Sequence, residues 1–163
     1  MVTLANDVEV MNYALTLEHF ENVLYKALIA SNLLKDTELS YLTTFGQHEA
    51  AHVSLITQII GVVGGTPVAE QARYTLPALR TREDVINTIL TVEDVGASAY
   101  LGAAGFLQSK DLLELAVNIH NVEAEHAATW RIIMGMPVAP DTVAKGRTPD
   151  EVLAIVTPFL RMS

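Results

Sequence analysis

The sequence predicts an all-α protein: a bundle of four helices with a long crossover between the second and third, and a short fifth helix near the C-terminal end. Three observations carry this. Four long apolar-periodic stretches are joined by two short turns and one long link. Two Glu-x-x-His steps, Glu49/His52 and Glu123/His126, lie in the second and fourth stretches, and a lone acid, Glu18 or Glu93, lies in the first and third. Finally, the chain repeats itself. Leu15-Thr16-Leu17-Glu18 aligns with Leu90-Thr91-Val92-Glu93, Tyr25 with Tyr100, and His48-Glu49-Ala50-Ala51-His52 with Val122-Glu123-Ala124-Glu125-His126.

The elements follow in order. The first helix is expected from about Asp7 to Leu33, opened by Asn6 with Glu9 three residues on, a capping-box pattern. The second runs from about Thr37 to Val63 and stops at Gly64-Gly65. A link containing Pro67 and Pro77 leads to the third helix, which starts after Thr81 with Glu83 and Asp84 in its first turn and ends near Leu107. The fourth spans about Lys110 to Met134, closed by Gly135 and Pro137. Thr148-Pro149-Asp150-Glu151 starts a short apolar helix to about Leu160, expected to cap the bundle. Short turns within each pair make antiparallel hairpins, while the link is long enough to return along a bundle ~38 Å in length. The whole chain, residues 1–163, is expected to form one domain.

In a helix, a three-residue step is nearly one turn, about 60° and ~4.5 Å, so both side chains of a Glu-x-x-His step reach the same neighbour. Four carboxylates and two imidazoles from four helices then form the ligand set of a two-metal site. Glu18, Glu49, His52, Glu93, Glu123 and His126 are the predicted metal ligands.

Composition narrows the function. The 163 residues include 19 acidic against 10 basic, a net charge of −9 with no Lys/Arg cluster, so a nucleic-acid footprint is absent. No apolar run reaches the roughly 18 residues of a membrane span. Met1-Val2-Thr3-Leu4-Ala5-Asn6 lacks the pattern of a leader, which places the chain as written in the cytoplasm; a leader removed upstream would make it exported or periplasmic. Absence of cysteine excludes disulfides, iron–sulfur clusters and Cys-ligated iron.

Asn12-Tyr13-Ala14-Leu15-Thr16-Leu17-Glu18-His19-Phe20-Glu21 with Tyr25, and Val92-Glu93-Asp94-Val95-Gly96-Ala97-Ser98-Ala99-Tyr100-Leu101, resemble a known family. The chain is similar over roughly residues 6 to 134 to the desiccation-related ferritin-like domain proteins of bacteria and fungi. Its ligand order also resembles that of bacterioferritin. By that resemblance Glu18 and Glu93 are terminal ligands, Glu49 and Glu123 bridges, and His52 and His126 supply one nitrogen per metal. Outside the ligands there is no clear match to bacterioferritin, so haem and a 24-subunit cage do not carry over.

The donor set suits two divalent ions, Fe or Mn first and Zn as a further option. Without metal, carboxylates ~4 Å apart repel by about 4 kcal/mol at an effective dielectric near 20. Open positions on the metals admit O₂ or H₂O₂ as the small-molecule substrate. The leading expectation is therefore an oxidoreductase serving oxidative or desiccation stress, with a homodimer as the expected assembly. Its rivals are a non-catalytic metal-binding or storage-like protein, and a structural stress protein stapled by its metals. Around the ligands, Glu21 is read as an added carboxylate or proton donor against a role at the surface or in support behind the ligands, and His120 as orienting a ligand or lining an access path against a core histidine. Tyr25 and Tyr100 are read as relays against plain packing. His19, His48 and Asp94 are expected beside the site rather than in it, Trp130 in the core, and Gly96, Gly102 and Gly105 where helices pack closely.

Overall fold

The computed structural model describes residues 4–160. Met1 to Thr3, half of the stretch read above for a leader, and the ends of the expected 1–163 domain lie outside the described residues. The described residues form five α-helices and no strand: α1 (Asp7–Ala30), α2 (Asp36–Val62), α3 (Arg82–Ala103), α4 (Lys110–Ile133) and α5 (Pro149–Leu160), with a 3₁₀ turn at Ala104–Phe106.

Local chemistry sets the ends. Asn6 Oδ1 accepts from Glu9 N at 3.0 Å while Glu9 Oε2 accepts from Ala5 N at 2.7 Å, so α1 opens with reciprocal capping. The α5 start repeats this device: Glu151 Oε2 accepts from Thr148 N at 2.7 Å and Thr148 Oγ1 from Glu151 N at 3.3 Å. Helices α2 and α4 close at Gly64 (φ +80°) and Gly135 (φ +66°), followed by the wrapping bonds Gly65 N to Ile60 O, 2.8 Å, and Met136 N to Arg131 O, 2.9 Å. Two ends fall short of expectation. Asn32 takes φ +56° and stops α1 at Ala30, and the last turn expected of α3 tightens into the 3₁₀ turn.

Contacts divide the chain into two compact units. One comprises Met11–Val85 and the residues from Val156. Its core holds Leu15, Leu24, Leu28, Leu42, Ile56 and Ile60, each 0% exposed, at about 1.5–3 kcal/mol of burial per side chain. The link lies against α1: Asn12 donates to Thr66 O (3.1 Å) and accepts from Val68 N (2.7 Å). Phe20 stacks on Phe159 at 5.4 Å and meets Tyr74 at 5.8 Å, and Thr75 N donates to Phe159 O. With link and tail both on it, α1 is buried almost all round between Val10 and Tyr25.

The second unit comprises the residues up to Val10 and Ile86–Ile155. Ile86, Ile89, Trp130 and Val152 are fully buried in it, as the core role expected of Trp130 requires. The segment before α5 is strapped to α3: Arg147 N donates to Ser98 O (2.9 Å), and its guanidinium to Asp94 O (3.0 Å) and Ser98 Oγ (2.5 Å). Gly102 makes this possible, since a Cβ there would stand 1.8 Å from Arg147 O. The close approach expected at Gly102 is thus to a strap of extended chain rather than to another helix, and Gly105 has open space around it. Asp7 holds the chain entering α4 by accepting from Gln108 N and Ser109 N, and the Ser109 side chain caps the helix by accepting from Leu112 N.

Candidate metal centre

The Met11–Val85 unit brings together three of the six predicted ligands. Glu18 projects from α1, and Glu49 and His52 project one near-turn apart from α2. Both acids are 0% exposed and His52 is 8% exposed. His52 Nδ1 lies 3.3 Å from Glu18 Oε2 and 3.3 Å from Glu49 Oε2, and one ligand atom from each of the three falls within 4.8 Å of the others. The Ile86–Ile155 unit repeats this with α3 and α4. Glu93 and His126 are 1% exposed and Glu123 is 0% exposed; His126 Nδ1 lies 3.2 Å from Glu93 Oε2, and the three offer ligand atoms within 4.8 Å.

Each half is therefore a buried trio of two carboxylates and one imidazole. Burial of two acids at such spacing is costly when both are charged, because desolvation and mutual repulsion act together. A divalent cation removes both costs, and imidazole with carboxylate is a donor set that Fe, Mn and Zn share. The residues present fit such an ion.

The side chains around the trios divide more finely than their spacing does. Glu21 is buried at 4% exposure, which excludes the surface role, yet it does not join the trio of its unit. Tyr25 is buried against Gly46, where a Cβ would meet Tyr25 Cβ and Cδ1 at 3.3 Å. Gly46 occupies the repeat position of His120, so one half gives this place to a tyrosine ring and the other to an imidazole. His120 Nδ1 bonds Ala97 O at 2.8 Å; a carbonyl only accepts, so Nδ1 is the donor. Tyr100 is buried at 6% exposure.

Of the residues expected beside the site, His19 is buried and its Nε2 bonds Val68 O at 3.1 Å, Asp94 pairs with Arg131, and His48 faces Phe45 at 6.0 Å. Sequence reasoning missed Tyr13, Asn22 and Arg147. Tyr13 is 8% exposed, and burial together with the Glu21 charge pushes its hydroxyl far above the usual tyrosine range. Asn22 is 7% exposed, with its Oδ1 unpartnered among the described residues. A polar residue four positions from Glu18 was the available signal for Asn22; nothing local marks Arg147.

Residues 6–136 match the family model described as the ferritin-like domain, a stretch that includes both trios. The chain belongs to the ferritin-like domain family. None of the curated proteins matches it significantly. Among solved structures, this ferritin-like chain is similar to a conserved hypothetical protein of Mycobacterium tuberculosis, with 20% identity and TM-score 0.71 over 83% of this chain and 93% of that one. It is also similar to a dodecameric thioferritin, a bacterioferritin-related protein of Bacteroides fragilis, with 20% identity and TM-score 0.66 over 80% of this chain and 88% of that one. At this identity the likeness carries the fold, and the all-α ferritin-like architecture read from the sequence is the one found. No helix among the described residues is long and apolar enough to cross a membrane.

Proposed function

We propose that the chain is a di-metal carboxylate protein that reduces O₂ or H₂O₂. In this reading the two trios serve one pair of divalent ions, and residues 1–163 act as one domain around it. Glu18, Glu49 and His52 from one trio and Glu93, Glu123 and His126 from the other would hold the ions through four carboxylates and two imidazoles. The observation that carries the reading is the complete burial of four glutamates in two trios, each with an imidazole at ligand distance. Membership of the ferritin-like family supports it.

When bound, iron or manganese supplies the two electrons that such a reduction needs, which zinc does not. The chain's own part is to hold the oxidant's site dry and to manage protons. Glu21, buried beside the Glu18 trio in sequence and next to Tyr13 electrostatically, is the proton donor of this proposal. Tyr25 and Tyr100, seven residues past Glu18 and Glu93, are the relays, and His120, three residues before Glu123, orients that ligand or lines the access path. A stress role, oxidative or desiccation-related, belongs to the same proposal, as does self-association, which the dodecameric relative supports.

Stopped-flow oxidation of the protein loaded with two Fe²⁺ tests the reading. Oxidation much faster than that of free Fe²⁺ at the same pH is expected, lost in Glu123→Ala and slowed but not lost in Glu21→Ala. A wild-type rate no faster than free iron with either oxidant contradicts it. The likeness to a thioferritin favours a second reading, storage-like binding, which predicts many irons per chain rather than two.

A further inference from the structure

Beyond the family match, which ends at residue 136, the chain returns to α3 and grips its backbone just past a ligand. Arg147 Nη1 donates to Asp94 O at 3.0 Å and to Ser98 Oγ at 2.5 Å, and Arg147 N donates to Ser98 O at 2.9 Å. Ser98 Oγ in turn donates to Val95 O at 2.9 Å, and His120 Nδ1 of α4 donates to Ala97 O at 2.8 Å. The carbonyls of Asp94, Val95, Ala97 and Ser98, all directly after Glu93, thus accept bonds from outside the α3 ladder. Asp94 is held at its other end as well, where Arg131 of α4 pairs with its carboxylate. Two glycines let the chains meet: a Cβ at Gly102 would stand 1.8 Å from Arg147 O, and one at Gly146 would stand 2.6 Å from Gly102 N.

The other half of the repeat is arranged in the opposite sense. His19 and Asn22 stand where Asp94 and Ala97 do, and Val23, which has no hydroxyl, stands where Ser98 does. There the side chains of Asn12 and His19 bond the link at Thr66 and Val68. The helix holds the link by the link's backbone, the reverse of the strap's hold on α3.

We infer that Arg147 is a positioning residue for the trio of α3 and α4, fixing the stretch of α3 that carries Glu93 so that its carboxylate stays at ligand distance from His126. A roll of about 5° carries a glutamate tip, ~6 Å from the helix axis, through about 0.5 Å, which is the tolerance of a ligand set. One guanidinium nitrogen that bonds Asp94 and Ser98, one turn apart, opposes that roll. The inference rests on the two-metal reading proposed above and adds to it a residue from outside the family's domain.

Charge gives the test its sign. Removing a guanidinium beside a cation site relieves repulsion and would by itself tighten metal binding, whereas loss of positioning weakens it. The full-length, metal-free chain is titrated with Mn²⁺, and the free ion is read by electron paramagnetic resonance. Two ions per wild-type chain are expected. In Arg147→Ala one of them is expected to bind about tenfold more weakly, the lower end of what removing a group that orients a ligand costs, and the other to stay within about twofold. Gly102→Ala, which keeps the guanidinium but displaces the strap, is expected to do the same, with far-ultraviolet circular dichroism unchanged in both variants. A strap that is only structural would lower the melting temperature and leave both affinities in place. That result in either variant, or tighter binding, or an equal loss at both ions, overturns the inference and leaves the two-metal reading standing. A wild type that binds no Mn²⁺ overturns both.

Discussion

Two side chains show how the halves of a repeated sequence are made unequal. Gly46 leaves room for the Tyr25 ring, and His120, its counterpart, bonds Ala97 O. Gly46→Ala gains up to about 1 kcal/mol of helix propensity, but its Cβ meets a fully buried ring at 3.3 Å. We expect a net loss of about 1–2 kcal/mol in urea unfolding, since an overpacked core costs more than the propensity returns. Tyr13 poses the opposite case. Its hydroxyl is buried with no hydrogen-bond partner among the described residues, so Tyr13→Phe removes an unsatisfied group and is expected to stabilise by about 1 kcal/mol in the same assay. A destabilised Tyr13→Phe would show that the hydroxyl has a partner in solution.

Elements are held at their ends by carboxylates, and this gives the fold a pH dependence. Asp84 accepts from Arg80 N and Thr81 N at 2.9 Å, and these bonds hold its carboxyl below the usual value; Thr148 does the same for Glu151. A carboxylate depressed in the folded state stabilises above its unfolded pKa and loses that contribution as pH falls through the folded one. The starts of α3 and α5 are therefore expected to fray below about pH 4, ahead of global unfolding, as a rise in amide exchange at Asp84–Ile86 and Glu151–Leu153. Gly102→Ala is expected to release the strap, because the clash is with backbone and cannot be relieved by a rotamer. Limited proteolysis should then cut between Gly135 and Arg147 with α1 to α4 still helical.

These elements also show what was legible beforehand. Ligand spacing, capping boxes and terminal glycines act within one or two turns, so sequence periodicity reports them, and the helix ends fell within about four residues of expectation. The strap of Arg147 on Asp94 and Ser98, and the Asn12 clamp on Thr66 and Val68, join residues some 50 positions apart. They leave no period to read. The same holds for Gly102, whose closeness was foreseen and whose partner was not, and for Tyr13, where the effect of the Glu21 charge depends on burial that no period reports.

At the scale of the molecule, the account depends on metal. Each unit carries its own trio, and ions bound by the trios would add stability, because they bind the native arrangement and hardly the dispersed ligands of the unfolded chain. Saturation at 100 times the dissociation constant is expected to add about 2.7 kcal/mol, so chelation should lower the melting temperature of the reconstituted protein. The most direct test is a crystal grown with Fe²⁺ or Mn²⁺ and measured at the metal's absorption edge. Two anomalous peaks per chain are expected, ligated by Glu18, Glu49, His52, Glu93, Glu123 and His126. All six side chains ordered with no metal between them would contradict the account.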